Sequence, residues 1–241
     1  MRSDKVTPWG RAPIEVVWKA GELLYVAVLE YVRATAALLV PPFRTWAPTT
    51  VARSAVEASA QALWLLDPKI PGRIRVGRYS TMRLYAARQL EYTHGKVSPG
   101  DPLHIYGTPP ANVAAEAGAL GLKPVTNKNS NAIGYEGEKP KSINTLVQAV
   151  VGGNGAYSLL SGSAHSEFWS LLGGYQNQGP SPFGVSVEQQ EAEVASFVPL
   201  VRACLQALLK PIDHACELFD RRALANDLQR VFTKIVALMG E

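Results

Sequence analysis

The stretch from Ile14 to Val40 reads IEVVWKAGELLYVAVLEYVRATAALLV, with charged residues at Glu15, Lys19, Glu22, Glu30 and Arg33 and with Val26 filling the gap in the series. Steps of three and four residues place one narrow polar stripe along a long helix, surrounded by Trp18, Leu23, Leu24, Val28, Tyr31 and Leu38. A helix that is apolar over most of its circumference calls for neighbours on several sides, so this stretch sets the expectation of an all-α fold in which it is mostly buried. A membrane span needs roughly 20 residues with few or no charges, and Glu30 and Arg33 interrupt the only candidate window. No membrane partner is expected.

Working outward, the same period recurs. Pro41, Pro42 and Pro48 mark a turn, and Thr49 or Thr50 offers an N-cap for a second helix through Leu66, stopped by Asp67 and Pro68. A third helix is expected from Ile74 to Lys96. From 101 to 142 the chain changes character, with Pro102, Pro109, Pro110, Pro124, Pro140 and an Asn-rich run at 126–131, and reads as a long irregular insert holding one short helix, Ala111 to Leu120. Helical patterning returns at Ser142 to Val151, Ala156 to Leu172, Ser186 to Phe219 and Ala223 to Met239. Ser186 and Gln189 have capping-box spacing, and Pro199 should kink or divide the helix they open. The expectation is a single all-helical domain, 1–241, built as an up-and-down bundle with the insert between its helices.

The 241 residues are 47% apolar and 18% charged, enough for a sizeable core and too apolar for a disordered chain. The net charge of +4 is unevenly placed. Lys69 to Lys96 holds seven basic residues against Glu91 alone, a surplus of +6 that leaves −2 for the rest. Cys204 and Cys216 have no Cys or His at ligand spacing, so neither a disulfide framework nor a metal site is expected, and with no signal-peptide pattern at the start a cytoplasmic location is the expectation. No cofactor motif is present: Gly152-Gly153-Asn154-Gly155 lacks both the P-loop ending and the spaced glycines of a dinucleotide site.

Chemistry is most strongly suggested at Tyr157 to Trp169. Ser161 and His165 stand four residues apart, one helical turn, so a hydroxyl-to-imidazole hydrogen bond is geometrically open to them. The plainer reading is close helix packing at small serines, with the histidine satisfying a buried polar group. Arg53 and Glu57 are also one turn apart, either a solvated surface pair or a pair carried into a polar site between helices. Arg73, Arg75, Arg78 and Arg83 are candidates for a nucleic-acid surface, since phosphate contacts come from clustered Lys and Arg. On a helical wheel they point in nearly every direction, which dilutes such a patch, and some are expected to pair with acids on other helices.

The order of these features, an RSAVEASA helix ending Trp64-Leu65-Leu66-Asp67-Pro68, an Arg-rich helix, an insert, then Tyr157-Ser158-Leu159-Leu160-Ser161-Gly162-Ser163-Ala164-His165, resembles bacterial helical proteins related to the HEPN superfamily. The resemblance covers roughly Val51 to Leu172. It implies a helical bundle, often dimeric, in a superfamily whose active members are metal-independent ribonucleases of toxin, antiphage and RNA-processing systems, marked by an Arg followed after four to six residues by a His. His165 matches that histidine. Ser158, Leu159 and Leu160 stand where the arginine belongs, and no arginine occurs between Arg88 and Arg202. Either nuclease chemistry is lost, or a distant cation, with Arg53 the first candidate, completes a site of Arg53, Glu57, Ser161 and His165. The expected function is RNA binding or cleavage in defence or stress response; the alternatives are a non-catalytic homo-oligomeric interaction module and a small-molecule hydrolase using Ser161.

Overall fold

A computed structural model of the chain describes residues 12–39, 46–94, 109–152, 157–158, 160–162, 175–177, 187–189 and 197–238. Among them the fold is all-α, with two short antiparallel two-stranded sheets. In chain order the elements are α1 (Ala12–Leu38), α2 (Trp46–Leu65), α3 (Gly72–His94), α4 (Pro110–Ala119), β1 (Pro124–Thr126), β2 (Ala132–Tyr135), α5 (Ile143–Val151), β3 (Tyr175–Asn177), β4 (Val187–Gln189), α6 (Val198–Leu218) and α7 (Arg222–Leu238). No helix among the described residues is long and apolar enough to cross a membrane. Packing divides the chain into two compact units, Met1–Gly21 with Trp64–Ser142 and Glu22–Leu63 with Ile143–Glu241, so α1 and α2 each contribute to both.

The first unit is organised by α3. The residues from Pro109 to Ser142 are ordered against it: α4 and the β1–β2 hairpin both pack on this helix. The hairpin runs in the register Pro124↔Tyr135, Val125↔Gly134 and Thr126↔Ala132, and Asn127 closes its loop by accepting the backbone N–H groups of Asn129 and Asn131 at 2.9 and 3.0 Å. Thr81, fully buried on α3, accepts the Tyr135 N–H at 3.0 Å and donates to the Gly77 carbonyl at 2.8 Å, which ties helix to strand. That approach needs glycine on both sides. A Cβ at Gly77 would stand 2.8 Å from the Glu136 Cβ, and one at Gly134 would run into the Glu138 carbonyl. Leu65, Leu66, Val76, Leu84, Val113 and Leu122 are buried in this unit.

The second unit has its own core. Ala52, Ala55, Val56, Ala60 and Leu63 of α2 meet Val147 and Val150 of α5, Tyr157, Leu160, and Leu200, Ala203, Cys204 and Ala207 of α6. Three alanines on one face of α2 leave room for close helix approach, so bulk comes from the partners. Tyr25 donates its hydroxyl to the Pro211 carbonyl at 2.9 Å, inside α6, where a proline interrupts the usual ladder. Both cysteines are free and buried, and burial pushes the Cys204 thiol up to about 11.

Three local expectations change. The helix read from Ser186 starts at Val198 instead, with Pro199 in its first turn, where a missing N–H is tolerated; Val187–Gln189 pairs as a strand with Tyr175–Asn177. Pairing with a segment that begins about fourteen residues earlier has overridden a local capping pattern there. Helix α2 starts at Trp46, ahead of either threonine, and Pro48 occupies its first turn. Finally, α1 is not mostly buried. Ile14, Val17, Val28 and Thr35 face inward, whereas Val16, Leu23, Val26, Leu29, Tyr31 and Leu38 remain exposed.

Candidate functional site

Arg53 and Glu57 lie one turn apart on α2, and the Arg53 Nε donates to the Glu57 Oε1 at 2.6 Å. The same carboxylate oxygen accepts the hydroxyl of Tyr157, 100 residues further along, at 2.7 Å. The Arg53 guanidinium also stands over the Tyr157 ring, 5.7 Å from its centroid, close enough for a cation–π contact. Tyr157 belongs to the same buried cluster as Ala52, Ala55 and Ala60 of α2.

The electrostatics hold Arg53 and Tyr157 each in one protonation state. Burial works against the charged form of Arg53, but the hydrogen bond and negative charge of Glu57 outweigh it and hold the guanidinium above its ordinary range. Burial, then the hydrogen bond to Glu57, pushes the Tyr157 phenol up to about 12, so it remains a neutral donor. The Arg53 and Glu57 side chains keep 16% and 28% of their surface, enough for a ligand to reach them. The terminal nitrogens of Arg53 meet no carboxylate or backbone carbonyl among the described residues, and the second carboxylate oxygen of Glu57 has no hydrogen-bond partner among them. The arrangement therefore offers a fixed cationic fork beside an oriented carboxylate, which suits recognition of an oxyanion.

Of the four residues expected to form the site, the structure brings two together. Ser161 is half-buried in the helical residues 160–162, and its hydroxyl is in no side-chain hydrogen bond with Arg53, Glu57 or Tyr157. His165 lies outside the described residues, and so does its distance from Arg53. Tyr157 is the member the sequence reading passed over as a site residue. The available signal was its place four residues before Ser161, on the helix face where the chemistry was expected.

The arginines of α3 have a different fate. Arg73 binds the Glu136 carboxylate at 2.7 Å and the Gly121 carbonyl at 2.5 Å. Arg75 is 1% exposed, donates to the carbonyls of Asp67 and Ile70 at 3.0 and 2.9 Å, and stacks on Trp18. Arg78 reaches the Glu138 carboxylate at 3.0 Å and the Trp64 carbonyl at 2.6 Å, over the Trp64 ring. Arg83 grips Glu116 with both terminal nitrogens, and Arg88 caps the Ala132 carbonyl. They radiate from α3 because their partners surround it: α4 on one side, the hairpin on another, the α2–α3 turn on a third. Arg75 and Arg78 are buried in these contacts, whereas Arg73 and Arg83 keep 36% and 29% of their side-chain surface while ion-paired.

No group of three His, Cys, Asp or Glu residues able to hold a metal occurs among the described residues. Comparison with known protein families, with curated proteins and with solved structures gives no match.

Proposed function

We propose that this chain is a HEPN-like helical protein of the cytoplasm that binds or cleaves RNA in defence or stress response, with Arg53 as its phosphate contact. The observation that supports this reading is the convergence of Arg53, Glu57 and Tyr157 across 100 residues into a reachable cation–carboxylate–phenol cluster. Glu57 and the Tyr157 ring fix the guanidinium, so little side-chain freedom is lost when its fork meets a phosphate. In cleavage, His165 would move the proton of the attacking ribose hydroxyl, and Arg53 would stabilise charge developing on the phosphate. With most of the α3 arginines engaged inside the protein, the phosphate footprint is small and centred on α2.

The test is RNA affinity as a function of salt, together with cleavage. Affinity should fall as salt rises, Arg53→Ala should flatten the log–log slope by about one phosphate, and His165→Ala should abolish cleavage. Unchanged slope in the first variant, with unchanged cleavage in the second, would end the proposal.

A second reading, a non-catalytic homo-oligomeric module, draws support from the way the three groups satisfy one another at the edge of a core. There they would set helix register, and Arg53→Ala would lower stability with no effect on any RNA readout.

A further inference from the structure

Helix α1 carries an exposed stripe that reads as its own complement. Glu22, Val26, Leu29 and Arg33 are all exposed, Val26 at 45% and Leu29 at 40%. At 100° per residue they fall within about 60° of one another, so they form one line down the helix. Their spacing is four, three, four, and their order is acid, apolar, apolar, base. Both spacing and order map onto a complementary partner when the helix is reversed about the midpoint between Ala27 and Val28. Glu22 and Arg33 make no ion pair with other described residues, in contrast to the arginines of α3.

We infer that this stripe is a self-docking surface, on which α1 of a second copy of the chain lies antiparallel. About a two-fold axis through that midpoint, Val26 meets the partner's Leu29 and Leu29 meets the partner's Val26. Glu22 then faces the partner's Arg33 at one end, and the same pair repeats at the other. This is the isologous arrangement in which one patch serves both sides. Parallel pairing would place Glu22 against the partner's Glu22 and Arg33 against the partner's Arg33, so charge selects the antiparallel register. A partner of unrelated sequence would give no reason for the reversal symmetry. Leu23, 70% exposed, borders the stripe and adds apolar area to it. One helix face covers less than the ~1,200 Å² of a standard interface, so the association is weak and concentration-dependent.

The inference rests on the self-association of the second reading above, which the resemblance also implies, and specifies its surface. In sedimentation equilibrium of the full chain, Glu22→Arg or Arg33→Glu alone should raise the dimer dissociation constant about tenfold, as two attractive contacts become repulsive. The double variant, E22R with R33E, should restore it, which a misfolded variant would not do. For the register, a V26C chain mixed with an L29C chain should form a mixed disulfide under mild oxidation faster than either chain alone. A chain that stays monomeric up to about 1 mM overturns both the surface and self-association. A dimer indifferent to the charge variants, or a V26C chain that links to itself fastest, overturns the surface and leaves self-association standing.

Discussion

Arg75 in the first unit and Arg53 in the second carry the same guanidinium into opposite circumstances. Arg75 is sealed, with two backbone carbonyls and an indole for company, and its removal would leave the Ile70 carbonyl without its side-chain donor and the Asp67 carbonyl with only the 3.4 Å bond from the Ile70 N–H. Arg53 is held by one carboxylate and one tyrosine, and its terminal nitrogens meet no carboxylate or backbone carbonyl among the described residues. The difference teaches that the number of cations in a segment says little about binding. What matters is how many carbonyls and acids the fold already places around each one.

Three measurements break or sharpen this contrast. Arg75→Ala should produce the largest effect, a loss of about 3 kcal/mol, because a buried void, the Ile70 carbonyl without its donor and a weakly bonded Asp67 carbonyl are left behind. Urea titration would read it as a lower midpoint, and Arg53→Ala in the same assay should lose less than half as much. An equal loss would make Arg53 as structural as Arg75.

Next comes Glu136, whose side chain is only 9% exposed and takes both the Arg73 guanidinium and the Lys123 N–H at 2.7 Å. The Arg73 hydrogen bond holds its carboxyl below the ordinary range. A depressed carboxylate stabilises the fold above its unfolded-state pKa, and that contribution is lost as pH falls through the folded value. Glu136→Gln should therefore cost about 1–2 kcal/mol near neutral pH, and the gap to the unsubstituted protein should close in acid. A gap that is constant from neutral to acid pH would remove the ion pair from the account.

Smallest of all, Arg83→Ala should cost under about 1 kcal/mol and less still in high salt, since Glu116 is 54% exposed. Thermal melts at two ionic strengths would measure it. A loss matching that of Glu136→Gln would mean that α4 depends on this single contact.

Much of the helical framework is legible in the sequence, and the reason is local. Three- and four-residue spacing places α1 and α7, and α3 and α4 are placed by the proline and glycine signals that bound them; with α5, all five fall within about two residues of the expected ends. The β1–β2 hairpin is hidden inside a stretch that reads as irregular, although its Asn-rich loop between short apolar runs is a turn signal. Strand β4 is misread because Ser186 and Gln189 match a helix start, and only pairing with Tyr175–Asn177 decides otherwise. At the candidate site, Arg53 and Glu57 are found because helix geometry puts them one turn apart. Tyr157 is missed because no local rule connects it with residues 100 positions earlier.

The sequence alone determines that the chain is helical, where most helices run, and that the basic surplus sits on one of them, since these follow from spacing and composition. Only the tertiary structure decides which cations are satisfied, which side of α1 stays in water, and that a phenol joins Arg53 and Glu57. Hydrogen-bond partners and burial are properties of segments brought together in space, and a one-dimensional pattern holds no distance between them.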